Sequence, residues 1–192
     1  MARSTGATRD RLIATAAEMF RAKGVTGTGT LEIISAAGAP RGSMYHHFPG
    51  GKSQLTVEAL RFESARVSAD LQNLIDTGSD ASTILVSFTE ALATSLEISE
   101  FRLGCPVTTA ALELSSEDPE VRAVCAEAYR TWQSMIEALL LQRSSKSDQA
   151  AAAADAELIL ATIEGGLLLA RAYQDTNTLR RLVGNLCRIL ER

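Results

Sequence analysis

The chain has 192 residues, 46% hydrophobic and 22% charged: enough apolar sequence for a buried core, and too much for wholesale disorder or a collagen-like repeat. Its 19 Lys and Arg against 23 Asp and Glu leave a net charge of −4, an average that disfavours a nucleic-acid partner. The average hides a division, since residues 1–66 carry nine basic and five acidic side chains, net +4, and the remaining 126 carry ten and eighteen, net −8.

In chain order, residues 8–23 set Leu12, Ile13, Ala16, Ala17 and Phe20 on one helical face, with Gly24 as the stop. A short helix follows from Thr30, which is expected to cap it, with Leu31, Ile34 and Ala37 inward and Gly38 at its end. A second short helix is expected over about 41–47. Helix interiors reject proline, and all four prolines fall at breaks: Pro40, Pro49, Pro106 and Pro119. Between Gly51 and Leu103 the pattern reads as two helices divided at the turn formers Asp76 to Asp80. A shorter helix occupies 104–114. Asp118 stands where an N-cap belongs, with Pro119 at the first position of a helix to about Leu141. A polar gap at 144–147 precedes an Ala-rich helix to about Tyr173, and Thr176 is placed to cap a last helix. The expectation is an all-α protein of about nine helices, without an internal repeat.

No run of 18 apolar residues exists to span a membrane, and the first residues lack the apolar stretch of a secretory signal. Cys105, Cys125 and Cys187 are an odd count with no CxxC pair and no nearby His in sequence, so neither a disulfide framework nor a metal site is expected. A reducing cytoplasm is the expected setting. Pro49-Gly50-Gly51-Lys52-Ser53 has the look of a phosphate loop, but a Walker A motif needs glycine where His46 stands, and no strand precedes it.

The segment from Thr30 to Lys52 carries the most information. Two short helices joined by a turn containing Gly38 and Pro40 have the spacing of a helix-turn-helix, in which the second helix enters the major groove. Ser43, Tyr45 and His46 combine hydrogen-bonding tips with reach, which suits base edges, and Gly42 lets the backbone approach the groove. Arg41 suits bases or phosphates. Met44 and Phe48 are expected in the core, fastening the short helix to Leu31, Ile34 and Phe20.

Ala36-Ala37-Gly38, Arg41-Gly42-Ser43-Met44-Tyr45, His47-Phe48 and Lys52 closely resemble the DNA-binding motif of the tetracycline-repressor (TetR) family of bacterial regulators. The helix at 8–23, with Phe20 and Gly24, is similar to that family's first helix. The interval Pro49-Gly50-Gly51 before Lys52 is about one residue longer than the common form. With Gly104-Cys105-Pro106-Val107 it resembles the LmrA/YxaF-type subgroup. The resemblance implies phosphate contacts for Thr30, His47 and Lys52, of which Thr30 and Lys52 stand at helix starts. It also implies two parts, a DNA-binding domain at 1–50 and a domain at 51–192 for effector binding and homodimerisation.

Within the second part, Leu158, Ile159, Ile163 and Leu167 on one helix and Leu182, Val183, Leu186 and Ile189 on the next are expected at the dimer interface. Gly165-Gly166 would weaken the helix interior by about 1 kcal/mol each unless another helix comes close. Phe88, Phe101, Tyr129, Trp132 and Met135 are candidates for an apolar effector pocket, and Cys105, at a helix start, for a thiol in it. The functional expectation is a ligand-responsive regulator, a repressor released from a palindromic double-stranded DNA operator by a small hydrophobic or aromatic molecule, with no cofactor. The competing readings are an all-helical enzyme or a helical interaction module. The enzyme lacks support, because both histidines sit in the recognition segment and no nucleophile–base pair is recognisable.

Overall fold

The protein is described by a computed structural model that covers the backbone of residues 2–142 and 149–190 and the side chains of residues 6–142 and 149–188. Residues 144–147 and the side chain of Ile189 lie outside the described residues. The described residues form nine helices and no strand: α1 (Ala2–Lys23), α2 (Thr30–Ala36), α3 (Ser43–His47), α4 (Gly51–Ile75), α5 (Ala81–Ile98), α6 (Pro106–Leu114), α7 (Pro119–Leu141), α8 (Gln149–Tyr173) and α9 (Asn177–Leu190). α1 begins six residues before the expected start at residue 8, because Ala2 to Ala7 hold no large apolar side chain that would register as a period.

Two compact units result, Met1–Ala65 with Cys105–Ala128, and Arg66–Gly104 with Tyr129–Arg192. Besides residues 1–50, the first unit takes in α4 as far as Ala65, α6 and the start of α7. Its core holds Leu12, Ile13, Ala16, Ala17 and Phe20 of α1, Ile33 and Ile34 of α2, Met44 and Phe48, all buried. Leu31 does not join them. It is 73% exposed, and Ile33 takes the inward place, so the apolar face of α2 is Ile33, Ile34 and Ala37. Gly24 and Gly38 both adopt the left-handed backbone, at φ +77 and +58, that ends α1 and α2. After α2 the Ala39 amide reaches back to the Ile34 carbonyl at 3.0 Å and that of Gly38 to Ser35 at 3.1 Å, closing the helix end.

The second unit centres on α5, α8 and α9, where Ile84, Leu85, Ile159, Ile163, Leu179, Val183 and Leu186 share one apolar cluster. Asp80 caps α5 by accepting from the Thr83 amide at 3.1 Å. The Thr176 carbonyl receives the first bond of α9, from the Arg180 amide at 3.1 Å. Its hydroxyl donates to Glu97 and accepts from Arg180, whose guanidinium also pairs with Glu90 at 2.9 Å and Glu97 at 3.0 Å. Those bonds hold the Glu97 carboxyl below its ordinary range, the Thr176 hydroxyl contributing most. Gly166 packs so closely under α9 that a Cβ there would come 2.6 Å from Leu179 Cδ1. Gly165 has no such neighbour, so close helix approach within the protomer accounts for one glycine of the pair.

Candidate nucleic-acid interface

The reader is built outward from α1. Arg11 Nε donates to the Ala37 carbonyl at 3.3 Å, and Lys23 pairs with Glu32, so both ends of α2 are tied to α1. Arg9 pairs with Glu58 of α4 at 2.7 Å, and its guanidinium carbon lies 5.5 Å from the centre of the Phe48 ring. Arg9 and Lys23, counted in the +4, are thus balanced locally by carboxylates. Met44 and Phe48 are fully buried and anchor α3 from below. That burial leaves the intervening residues facing outward: Tyr45 is 69% exposed, His46 is exposed and His47 half-buried.

α3 begins at Ser43, two residues later than the spacing suggests. Arg41 and Gly42 form an exposed turn instead, closed by the Ser43 amide on the Pro40 carbonyl at 2.9 Å. The Ser43 hydroxyl donates to the same carbonyl at 2.6 Å, which leaves its lone pairs as the free function. Thr30 is the first residue of α2 rather than its cap; the extended residue at that position is Gly29, whose carbonyl accepts from the Ile33 amide at 3.1 Å. Thr30 remains half-exposed at a helix start. His46 and His47 rings sit edge to face, centroids 5.0 Å apart. No cluster of three metal-binding side chains occurs among the described residues.

Lys52 lies in the first turn of α4, half-buried, and its Nζ donates to the Val25 carbonyl at 2.6 Å in the loop between α1 and α2. Beside it, the Ser53 hydroxyl donates to Asp118 Oδ2 at 2.6 Å, while Asp118 Oδ1 accepts from the Glu120 and Val121 amides at 3.0 and 3.1 Å. Asp118 is therefore the expected cap of α7, and it also ties α7 to α4. Its carboxyl is held below the ordinary range, chiefly by Ser53 and then by the Val121 and Glu120 amides. Glu113 of α6 accepts from the Val25 and Thr26 amides at 2.8 and 3.0 Å. Neither carboxylate shows in the sequence as part of the reader, because each meets it across more than 60 residues.

Residues 12–59 match the bacterial regulatory proteins of the tetR family, and residues 81–184 match the C-terminal domain of LmrA/YxaF-like transcriptional regulators. The chain belongs to the TetR family. Among its relatives, the HTH-type transcriptional regulator LmrA of Bacillus subtilis is 31% identical over 98% of this chain and 100% of its own length. The HTH-type transcriptional repressor KstR2 of Mycolicibacterium smegmatis is 35% identical over 49% of this chain and 44% of its own. The crystal structure of the regulatory protein TetR from Rhodobacter sphaeroides superposes with a TM-score of 0.83 at 25% identity, over 93% of this chain and 96% of that one. As a TetR-family regulator, the protein has its DNA-binding domain at the N-terminus, and no helix among the described residues is long and apolar enough to cross a membrane.

The remaining expected residues fall in different places. Phe88, Phe101 and Met135 pack, partly buried, on the apolar cluster of the second unit. Trp132 is buried with Tyr129 edge-on, 5.8 Å away. Cys105 is half-exposed and belongs to the first unit. Cys125 is buried, which pushes its thiol up to about 11 and keeps it protonated near neutral pH.

The expected dimer set divides by exposure. Ile159, Ile163, Val183 and Leu186 are buried within the protomer, where they hold α8 and α9 to α5. Leu167 and Leu182 are only partly exposed. Leu158 alone of the described members stands well exposed, at 49%, and it is joined by Leu168 at 61%, Leu169, Tyr173, Ala154, Ala161 and Ala172. At 100° per residue these line one side of α8 with Gly165 among them, about 140° from the buried stripe.

Proposed function

We propose that this TetR-family regulator is a repressor that binds a palindromic operator as a homodimer and leaves it when a small apolar or aromatic molecule binds residues 51–192. The observation that carries DNA reading is α3 itself: Met44 and Phe48 are locked in the core while Tyr45 and His46 project into solvent, beside the exposed turn of Arg41 and Gly42. Ser43, Tyr45 and His46 then meet base edges, Arg41 meets a base or a phosphate, and Thr30, His47 and Lys52 meet phosphates. Division by role runs near residue 50: the helix-turn-helix lies before it, Lys52 reaches the DNA from just beyond it, and effector binding and pairing fall within residues 51–192. The name of KstR2 as a repressor supports repression here.

The outward stripe of α8, Leu158, Gly165, Leu168 and Leu169, supports pairing about a twofold axis: it is an apolar face that the protomer leaves uncovered. Two α3 helices set about 34–36 Å apart would then read successive major grooves. A short helix offers few contacts, so both half-sites must engage together for useful affinity. Phe88, Phe101, Tyr129, Trp132 and Met135 supply the aromatic and thioether surface for the effector, whose preference for one spacing of the readers sets the size of the response. Such a regulator acts in the cytoplasm, where the operator is.

Fluorescence anisotropy with a duplex from the gene's own upstream region tests the reading. The wild-type chain binds, and Tyr45→Ala, with helix content intact, loses at least about 1–3 kcal/mol of operator affinity. Unchanged affinity would remove Tyr45 from the reader.

A further inference from the structure

The loop that leaves α1 holds one peptide group between two opposite charges. The Thr26 amide donates to Glu113 Oε2 at 3.0 Å, and the Val25 carbonyl of that same peptide group accepts from Lys52 Nζ at 2.6 Å. The Val25 amide donates to the same Glu113 oxygen at 2.8 Å, and the Thr28 amide reaches the Val25 carbonyl at 3.2 Å. The loop is otherwise pinned: Val25 and Thr28 are buried, and the Thr28 hydroxyl donates to the Gly24 carbonyl at 2.7 Å. Gly24 lies directly against the Glu113 carboxylate, where a Cβ would collide with it.

We propose that Glu113 is a positioning residue for DNA binding: across the Val25–Thr26 peptide its carboxylate orients the ammonium of Lys52 toward the phosphate backbone. The inference rests on the reading of Lys52 as a phosphate contact. A carboxylate at the N–H end and an ammonium at the C=O end polarise the peptide in the same sense, so each hydrogen bond strengthens the other. Lysine is a flexible stem with three donors. One donor on a fixed carbonyl halts the sweep of the stem and leaves two for phosphate oxygens.

The sign of the effect separates this role from plain electrostatics. Removing a negative charge beside a DNA-binding surface strengthens binding if charge is all that matters. Positioning predicts the reverse. Anisotropy titrations of the upstream duplex over a range of salt, on the full chain, give the test. Glu113→Ala weakens binding about tenfold and lowers the salt slope by about one, as the loss of a single phosphate contact does. Glu113→Gln keeps an oxygen that accepts both amides, so it binds within about threefold of wild type and no tighter. In a Lys52→Met background, Glu113→Ala changes nothing further, because its partner has gone. Tighter binding by Glu113→Gln, unchanged binding by Glu113→Ala, or an equal loss with and without Lys52 would each overturn the role. Glu113→Gln decides the sign even if Glu113→Ala fails to fold. A wild-type chain that ignores every duplex would overturn the DNA reading itself, a result distinct from wild-type binding that Glu113 does not influence.

Discussion

Asp118 accepts three hydrogen bonds at once, two from amides of its own helix and one from Ser53 of α4. Each favours the charged carboxylate, which is why its pKa lies below the ordinary value. A carboxylate lowered in this way contributes stability in full above its unfolded pKa and loses it as pH falls through the folded value. Asp118→Ala is therefore expected to cost about 1 kcal/mol at neutral pH, the usual loss for an N-cap. Urea unfolding should show the gap to wild type narrowing as pH falls below the ordinary carboxylate value of about 4, and closing as it passes through the lower folded value. A gap that stays constant into acid would mean the charge is idle. The nearby Lys52 makes a related point: its bond to Val25 gives the side chain one orientation, which a residue type read from the sequence does not reveal.

Among the helices, α8 shows where pattern decides structure and where it does not. Three of its four charged side chains, Glu157, Glu164 and Arg171, keep to one stripe while Asp155 stands off it, and most of the remaining circumference is apolar. Periodicity thus marks a helix without saying which apolar side faces inward, and the inward set Ile159, Ile163, Gly166 and Ala170 is chosen by α5 and α9. The same physics makes Gly166→Ala destabilising by about 1–3 kcal/mol, since its methyl must displace the fully buried Leu179. A melting midpoint equal to or above wild type would refute that close approach. Helix existence was legible throughout, because the prolines and the turn formers at 76–80 punctuate clear 3.6-residue stripes. Short-range choices were not. Gly29 in place of Thr30 as the cap, and Ile33 in place of Leu31 in the core, are decided by how α2 lands on α1, which propensity does not encode. Met44 and Phe48 were legible, since two large apolar residues four apart in a polar segment have one sensible place to go.

For the molecule as a whole, the opposed net charges of residues 1–66 and of the rest match a division of labour in which phosphates attract one part and repel the other. In the proposed dimer, the uncovered stripe on α8 would supply the second requirement, a way to present two readers together. Leu158→Lys places a charge in the middle of that stripe, so sedimentation should find monomers where the wild-type chain forms dimers, with helix content unchanged. A wild-type chain that is already monomeric, or a variant that still pairs, would move the interface elsewhere. Operator affinity should fall with the dimer, since each half-site alone binds weakly. The most direct measurement compares the upstream duplex with a scrambled duplex of equal length at about 0.2 M salt, where non-specific binding is weak. A specific reader predicts roughly a thousandfold or greater preference for the upstream sequence, with affinity for both falling steeply as salt rises. Equal affinity for the two duplexes would contradict it.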